Sequence, residues 1–478
     1  MPSCRISILI FLEFVLYVLE IDMLKLLHSD IMRIRKYLLE TNYDFLYQRI
    51  NGSLNYFINP WASYKEIIYN LRDYDESIQN QFKLLLLGER LELSEFGELD
   101  LEVVKSFINV GFLKCDNNYI WSEGYSIISY FNRFLVVSTL PDYKRDIVSQ
   151  EIYMGIDSYR LIAALPNKII NSHLDLCTGS GIQAIMESHF VKNKSYGVDI
   201  NKNAILVAKF NAILNEIDNK TQFIESDLFT CFGKDEKFDL ITANPPFFPI
   251  PDNVPFPIQG NGGNDGLDII RGIIKGIERH LTDNGVAIIS AEGLGNANEP
   301  KVCDVLRKNL SNNFKCEVFL QTRKPAMFFI DRIYSLITNT LNYPKDSKKY
   351  KELFLELFNM YDADSYYLLL IKISKTKSKN KIQVIRNYSH WNDNVIPIID
   401  GAVEIKKGSF DCLLSANRKN IGTIPNIIAE CISECNGNKR IEEIVKSKCS
   451  EYEFTTVHNL FCEVLAKLEK IGMANYKK

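Results

Sequence analysis

Between about residues 173 and 289, five apolar segments alternate with stretches patterned as helices: HLDLCT, SYGVDI, TQFIES, FDLITANPP and GVAIIS. Strands separated by helices cannot pair through tight hairpins. They run parallel, with the helices crossing over to cover both faces, so the block predicts a doubly wound α/β sheet. Apolar segments at 317–320 and 366–373 supply its last strands, and 325–360 between them reads as partly helical. Open sheets of this kind bind ligands beyond the carboxyl ends of their strands. The residues at those ends therefore carry the functional reading.

The chain has 478 residues, more than one domain needs at roughly 100–200 residues per domain. We expect an apolar leader at 1–28, an N-terminal helical, winged-helix-like domain at 29–150, the central domain at 151–376 and a small C-terminal helical, winged-helix-like module at 394–478. Residues 79–110 read as a helix, a turn and a second helix, followed by a short alternating segment at 118–122. The second helix, 99–108, carries Asp100, Glu102 and Lys105, a poor set for reading a DNA groove. A structural or protein-contacting role is expected of it. Near the C-terminus, IIAECISECNGNKRIEEIVKSKC and VHNLFCEVLAKLEKIGM read as helices broken at Asn436 and Gly437, with Gly472 as a helix stop. The Lys-rich run KISKTKSKNK at 372–381 reads as a solvated hairpin or linker.

Composition removes several classes. Hydrophobic residues make up 46% and charged residues 24%, ordinary globular usage that excludes a disordered tail, a fibre and a polytopic membrane protein. The net charge of -3 provides no overall basic field for nucleic acid. Residues 6–19 are nearly all apolar, but Glu13 interrupts them and the run is shorter than the ~20 residues a membrane span needs. A leader that is not a membrane element is expected, with Met23 or Met32 as alternative starts. The 11 Cys are irregularly spaced, and the Cys431–Cys435 pair lacks the further ligands of a zinc site. Reduced thiols, a cytoplasmic location and no metal are expected.

The first strand ends in Asp175 and Leu176, and the chain turns through Cys177, Thr178, Gly179, Ser180 and Gly181 into a helix. Glycines there let the backbone pass close to a ligand. The second strand ends at Asp199 and Ile200, 24 residues after Asp175, which places a carboxylate to accept both hydroxyls of a ribose. Asp227 and Leu228, at the end of the third strand, are placed to border an adenine ring. The turn lacks the G-x-G-x-x-G cradle of a dinucleotide, so the expected cofactor is S-adenosyl-L-methionine rather than NAD.

At the end of the fourth strand stand Asn244, Pro245, Pro246 and Phe247. Their types suit methylation of a planar NH2 group. The Asn244 side-chain carbonyl accepts one N–H and the Pro245 backbone carbonyl the other, which aims the nitrogen lone pair at the methyl donor. The two prolines preset the backbone, and Phe247 offers a flat face to an amide or a base. A strong general base is not apparent in the sequence; the nearest carboxylates along the chain are Asp239 and Asp252.

LDLCTGSG, GVDI, SDLF and NPPF resemble the class I S-adenosylmethionine-dependent methyltransferases with an Asn-Pro-Pro-aromatic signature. More narrowly they resemble the protein-(glutamine-N5) methyltransferases that modify release factors, as does the later stretch GGNDGLDIIRGIIKGIERHLTDNGVAII. The resemblance spans roughly residues 152–290. It implies a Rossmann-like methyltransferase core, and a glutamine or asparagine side chain of a protein or peptide as methyl acceptor. Two departures matter. Cys177 stands where Gly is usual, at little cost if the position needs no positive φ. Phe247 stands where the glutamine enzymes usually carry Tyr; Phe is also common in relatives that methylate guanine N2 of ribosomal RNA. An RNA or DNA base amino group, or a small molecule of secondary metabolism, stays open as the alternative acceptor. The flanks, LLLLGERLELSEF through IYMGIDSYRLIAALP and CNGNKRIEEIV, are similar to a bacterial subgroup of predicted methyltransferases with an N-terminal winged-helix-like region and a short C-terminal module. The last segment also faintly resembles small peptide-recognition domains that accompany peptide-modifying enzymes.

Overall fold

The computed structural model describes residues 24–51, 64–93, 101–139 and 152–477, less 123, 131–132, 167, 255, 340–346, 377–380, 387–395, 400–402, 408–410, 417–418, 450–456 and scattered positions between 459 and 473. The leader, Asp100 and Gly472 lie outside the described residues. Among the described residues, no helix is long and apolar enough to cross a membrane.

Eight strands form the central sheet: β1 His173–Leu176, β2 Ser195–Asp199, β3 Thr221–Glu225, β4 Phe238–Ala243, β5 Leu281–Gly295, β6 Phe314–Pro325, β7 Ser365–Lys375 and β8 Lys381–Arg386. Their spatial order is β8-β6-β7-β5-β4-β1-β2-β3. The pairs β1·β2, β1·β4, β2·β3 and β4·β5 are parallel, as the alternation of strands and helices predicted. β7 is antiparallel to both β5 and β6, so the sheet is mixed rather than purely parallel. The cause is the connection before β7. Pro325 at the end of β6 sits opposite Ser365 at the start of β7, so the connection between them leaves and re-enters at one edge of the sheet. A chain that leaves and re-enters at one edge must run back antiparallel.

The helices of the core are α1 Ile156–Ala163, α2 Ile182–Glu187, α3 Lys202–Leu214, α4 Asp268–His280 and α5 Val302–Asn309; α6 Ala326–Asn339 and α7 Ser347–Met360 form the β6–β7 connection. In α4, Ile270, Ile273, Ile274 and Ile277 recur at helical spacing and are buried on the sheet. α3 is capped by Asn201, whose side chain accepts the Asn203 N–H, and it is apolar nearly all round. An all-round apolar helix needs cover on a second side. The N-terminal segment provides that cover.

That segment contains helices His28–Glu40, Tyr43–Ile50, Tyr64–Leu71, Glu76–Leu85 and Leu101–Asn109. Short strands Leu91–Glu92, Leu113–Cys115 and Tyr119–Ser122 pair in one small sheet, and Tyr125–Tyr130 pairs with Arg133–Ser138 as a hairpin. The outer edge of the hairpin meets α3 through two buried amides. Asn211 accepts the Val136 N–H (2.7 Å) and donates to the Val136 carbonyl (3.0 Å). Asn215 repeats the pattern at Phe134 (3.0 and 2.7 Å). The two side chains stand in for a neighbouring strand and leave the edge satisfied. Asn211 also donates to the Ser180 carbonyl (2.9 Å), so the hairpin is tied directly to the turn after β1.

The C-terminal module holds more strand than the helical reading of its sequence anticipated. Val403–Lys407, Asp411–Ala416 and Lys419–Pro425 form an antiparallel sheet, Ile396–Ile399 pairs with Ala474–Lys477, and helices Asn426–Ser433 and Ile441–Lys446 flank a turn at Gly437. One continuous apolar cluster runs from Ile31 and Phe82 through Val207 and Phe210 to Ile428 and Phe461.

Candidate active site

The order of strands reverses at β1, which lies between β4 and β2. A crevice opens at such a point beyond the carboxyl ends. Here it is a cleft with about 1050 Å³ of empty volume. Its walls include Cys177, Thr178, Gly179 and Ser180 from the turn after β1, Asp199 and Ile200 after β2, Asp227 and Leu228 after β3, and Asn244 and Pro246 after β4. Four residues expected at the site are not among those walls: Asp175, Gly181, Pro245 and Phe247.

Each has a physical reason. Asp175 is buried beneath the turn, where it accepts the hydroxyls of Thr178 (2.5 Å) and Thr242 (2.7 Å). With Thr242 spending its proton on Asp175, the Nε2 of His173 donates to that oxygen (2.8 Å), and Nδ1 accepts from Ser195 (2.8 Å). This chain of bonds crosses β4, β1 and β2 and holds the turn from below. Burial pushes the Asp175 carboxyl up to about 7. Gly181 is glycine for its φ of +82° and for packing: a Cβ would lie 3.0 Å from the Cβ of Ala208 and from the Phe223 ring. Pro245 is buried. Phe247 is 7% exposed and meets Phe248 edge to face, ring centres 5.2 Å apart, so its flat face is covered by protein.

Gly179, also at positive φ, differs from Gly181 in its surroundings. Its φ is +52°, and a Cβ there would meet only the Tyr153 carbonyl oxygen, at 3.8 Å. Its backbone therefore lies open to the cleft. Its N–H donates to Asp199 Oδ2 (2.9 Å), while the Asn201 N–H donates to Oδ1 (2.9 Å). Both oxygens keep a lone pair for a further donor. Burial pushes the Asp199 carboxyl up, and these backbone bonds oppose the shift. Ile200, 59% exposed, and Leu228 add apolar wall.

Cys177 corrects an assumption about its cost. Its φ is +54°, in the left-handed region where a side chain is disfavoured by about 1–2 kcal/mol. Burial and the carboxylates of Asp199, Asp175 and Asp227 also push its thiol pKa up, so it is held neutral. Cys177→Gly is expected to raise unfolding stability by about 0.5–1 kcal/mol, the relief of strain being partly offset by the freer unfolded chain. Urea denaturation checks this; a loss of stability would show that the thiol's contacts outweigh the strain.

At the end of β4, the Asn244 amide nitrogen donates to Asp157 Oδ2 (2.7 Å) and to Ser158 Oγ (3.2 Å). The Asn244 Oδ1 is buried and has no hydrogen-bond partner among the described residues. The amide nitrogen is the donor end, and it is the end that faces the Asp157 oxygen. The following chain folds back over the cleft. Phe248 N–H donates to the Gly260 carbonyl, Gly262 N–H to the Phe248 carbonyl and Ile250 N–H to the Gly263 carbonyl, each at 2.9 Å. This ladder brings Ile258 (62% exposed), Gln259 and Asn261 to the cleft mouth.

The sequence reading assigned no role to Tyr153, Asp157, Ser158, Gln183, Ile258, Gln259, Asn261 or Ile269, all at or beside the cleft. Asp157 and Ser158 stand in the segment MGIDSYR, which carried resemblance but no chemistry. Asp239 and Asp252, the carboxylates nearest to Asn244 along the chain, lie elsewhere: Asp239 accepts from Asn171 N–H and Thr282, and Asp252 from Asn264.

Comparison with known proteins agrees with this geometry. Residues 154–299 match the family model described as methyltransferase small domain. The chain is similar to the ribosomal protein uL3 glutamine methyltransferase of Bradyrhizobium diazoefficiens, 36% identical over 121 residues, which are 23% of this chain and 38% of that protein. It is similar to the release factor glutamine methyltransferase of Thermodesulfovibrio yellowstonii, 28% identical over 234 residues, 46% of this chain and 79% of that one. The uL3 glutamine methyltransferase of Francisella tularensis is 35% identical over 129 residues, 25% of this chain and 41% of its own. The chain thus spans well under half the length of the two uL3 relatives, and most of the release factor relative at lower identity. The matched residues, 154–299, hold the turn after β1, Asp199, Asp227 and Asn244, so the similarity to the methyltransferase small domain falls on the cleft.

Proposed function

We propose that this chain is an S-adenosyl-L-methionine-dependent N-methyltransferase acting on the side-chain amide of a glutamine or asparagine in a protein or peptide. The observation that carries the reading is Asn244 Oδ1, a buried acceptor without a protein partner among the described residues, in a residue that lines the cleft. A buried acceptor left unpaired costs about 1–3 kcal/mol, so a site keeps one where a ligand is to supply the donor. The names of the relatives favour a glutamine amide over the alternatives.

The residues present fit the cofactor. Asp199 would take the ribose hydroxyls, the open backbone at Gly179 would receive the amino acid end, and Ile200, Asp227 and Leu228 would border the adenine. When bound, S-adenosyl-L-methionine supplies a methyl group on a sulfonium, so that the acceptor nitrogen's pair forms the N–C bond while sulfur keeps the pair of the broken C–S bond. Asn244 Oδ1 accepts one amide N–H, which helps hold the lone pair toward the methyl group. The negative end of this dipole favours positive charge on nitrogen, which afterwards loses its proton to water. Phe247, covered by Phe248, supports the loop rather than the substrate; Tyr153, Pro246 and Ile258 offer the faces an acceptor side chain would meet. The N-terminal and C-terminal modules are read as winged-helix-like protein-contacting elements, in a cytoplasmic enzyme.

Incubating the protein with methyl-tritiated S-adenosyl-L-methionine and fractionated cell lysate tests this. Label in protein, retained after nuclease and released as N5-methylglutamine on enzymatic digestion, is the expected result. Label in RNA or in small molecules would overturn the acceptor class.

A further inference from the structure

We infer that Asp157 is the positioning residue of this site: its carboxylate locks the Asn244 amide in the orientation that turns Oδ1 toward the cleft. The catalytic consequence rests on the N-methyltransferase reading above. The orientation itself is a property of the cofactor-free protein.

A primary amide is nearly symmetric in shape, so packing alone does not choose which end faces a cleft. Electrostatics does. The two residues are 87 apart in the chain and meet because α1 starts beside the end of β4. Asp157 is 5% exposed and takes the Asn244 Nδ2 at 2.7 Å, with Ser158 Oγ 3.2 Å from the same nitrogen. A flipped amide would place its oxygen against a carboxylate oxygen, and two N–H donors in the cleft. Those donors would oppose an incoming N–H. The bond to a charged acceptor also draws positive charge onto the Asn244 nitrogen, which makes Oδ1 a stronger acceptor.

Asp157 is itself held. The Tyr153 hydroxyl donates to its other oxygen at 3.2 Å. That contact requires glycine at 155, where a Cβ would lie 1.9 Å from the Tyr153 oxygen. Burial and the Asp157 charge push the Tyr153 pKa well up, so the phenol stays a donor. Glu292 is a second buried carboxylate in the same neighbourhood, and Arg332 of α6 stands 3.4 Å from it. The helical connection between β6 and β7 thus places a cation beside the buried Glu292.

The test uses the full chain labelled with 15N-asparagine and free of cofactor. The Asn244 side-chain NH2 signal is assigned by its loss in Asn244→Ala. In the wild type its two protons are expected to be widely split and slow to exchange, because one is bound to a carboxylate. Asp157→Ala should collapse the splitting and speed exchange about tenfold or more, as for an amide opened to solvent. Asp157→Glu should restore part of it. An unchanged Asn244 signal in folded Asp157→Ala would overturn the inference. Should that variant not fold, nearly isosteric Asp157→Asn removes the charge alone, and an unchanged signal there would overturn it equally.

Turnover separates this inference from the functional reading. With tritiated S-adenosyl-L-methionine and a short alanine-flanked glutamine peptide, kcat in Asp157→Ala should fall about 10–100-fold with cofactor Kd unchanged, the usual scale for losing a group that orients a ligand-binding residue. If the wild type methylates no peptide, the functional reading is at fault, and the amide signal still decides on Asp157. If the wild type is active and the variant keeps its kcat, the inference is at fault.

Discussion

Asn244→Ala is expected to lower methyl transfer by about 10²–10³-fold while leaving cofactor affinity within about twofold, since removing one preorganised partner of a transition state typically costs that much. The amide nitrogen of Asn244 is spent on Asp157 and Ser158, so the substitution removes from the cleft a single acceptor, Oδ1. That acceptor acts on the methyl-accepting group, whereas the cofactor is addressed by Asp199 and the turn after β1. Calorimetry with S-adenosyl-L-methionine and single-turnover transfer measure the two effects separately. Transfer at a near wild-type rate would remove Asn244 from its orienting role. The variant also leaves Asp157 buried without one of its donors, worth about 1–3 kcal/mol of stability, so the thermal midpoint is measured alongside.

Asp199→Ala is expected to weaken cofactor binding about 10²–10⁴-fold, because it removes two charge-assisted bonds at about 1.5–3 kcal/mol each. The carboxylate serves the protein and the ligand at once. It accepts the Gly179 and Asn201 N–H groups, so its loss also unpins the turn that would cradle the cofactor. Asp199→Asn separates the two contributions: it keeps a carbonyl for one backbone N–H but has a single acceptor and no charge. Its affinity should fall between wild type and Asp199→Ala. Equal calorimetric affinity in wild type and Asp199→Ala would sink the cofactor assignment.

The strand tips were the most readable part of this chain. Gly179, Asp199, Asp227 and Asn244 follow apolar segments that leave little choice of element, and a doubly wound sheet brings the ends of successive strands to one edge. Direction and facing were less readable. The same alternation that revealed β7 could not show it to be antiparallel, because that depends on where α6 and α7 pack. Gly181 and Gly179 look alike in sequence, yet one faces Phe223 and the other the cleft. Phe247 sits next to a wall residue, Pro246, and still turns inward against Phe248. The φ of Cys177 belongs to a turn held by Thr178, whose N–H donates to the Val198 carbonyl on the neighbouring strand and whose hydroxyl donates to Asp175.

Local pattern by itself determined the alternating strands and helices, the carboxylate at the tip of β2 and the Asn-Pro-Pro turn at the tip of β4, because period and backbone restriction are properties of neighbouring residues. The tertiary structure alone decided which end of the Asn244 amide the protein binds. That choice belongs to Asp157, delivered by α1 from 87 residues away, and a hydrogen bond between distant segments leaves no period or spacing in the chain to announce it.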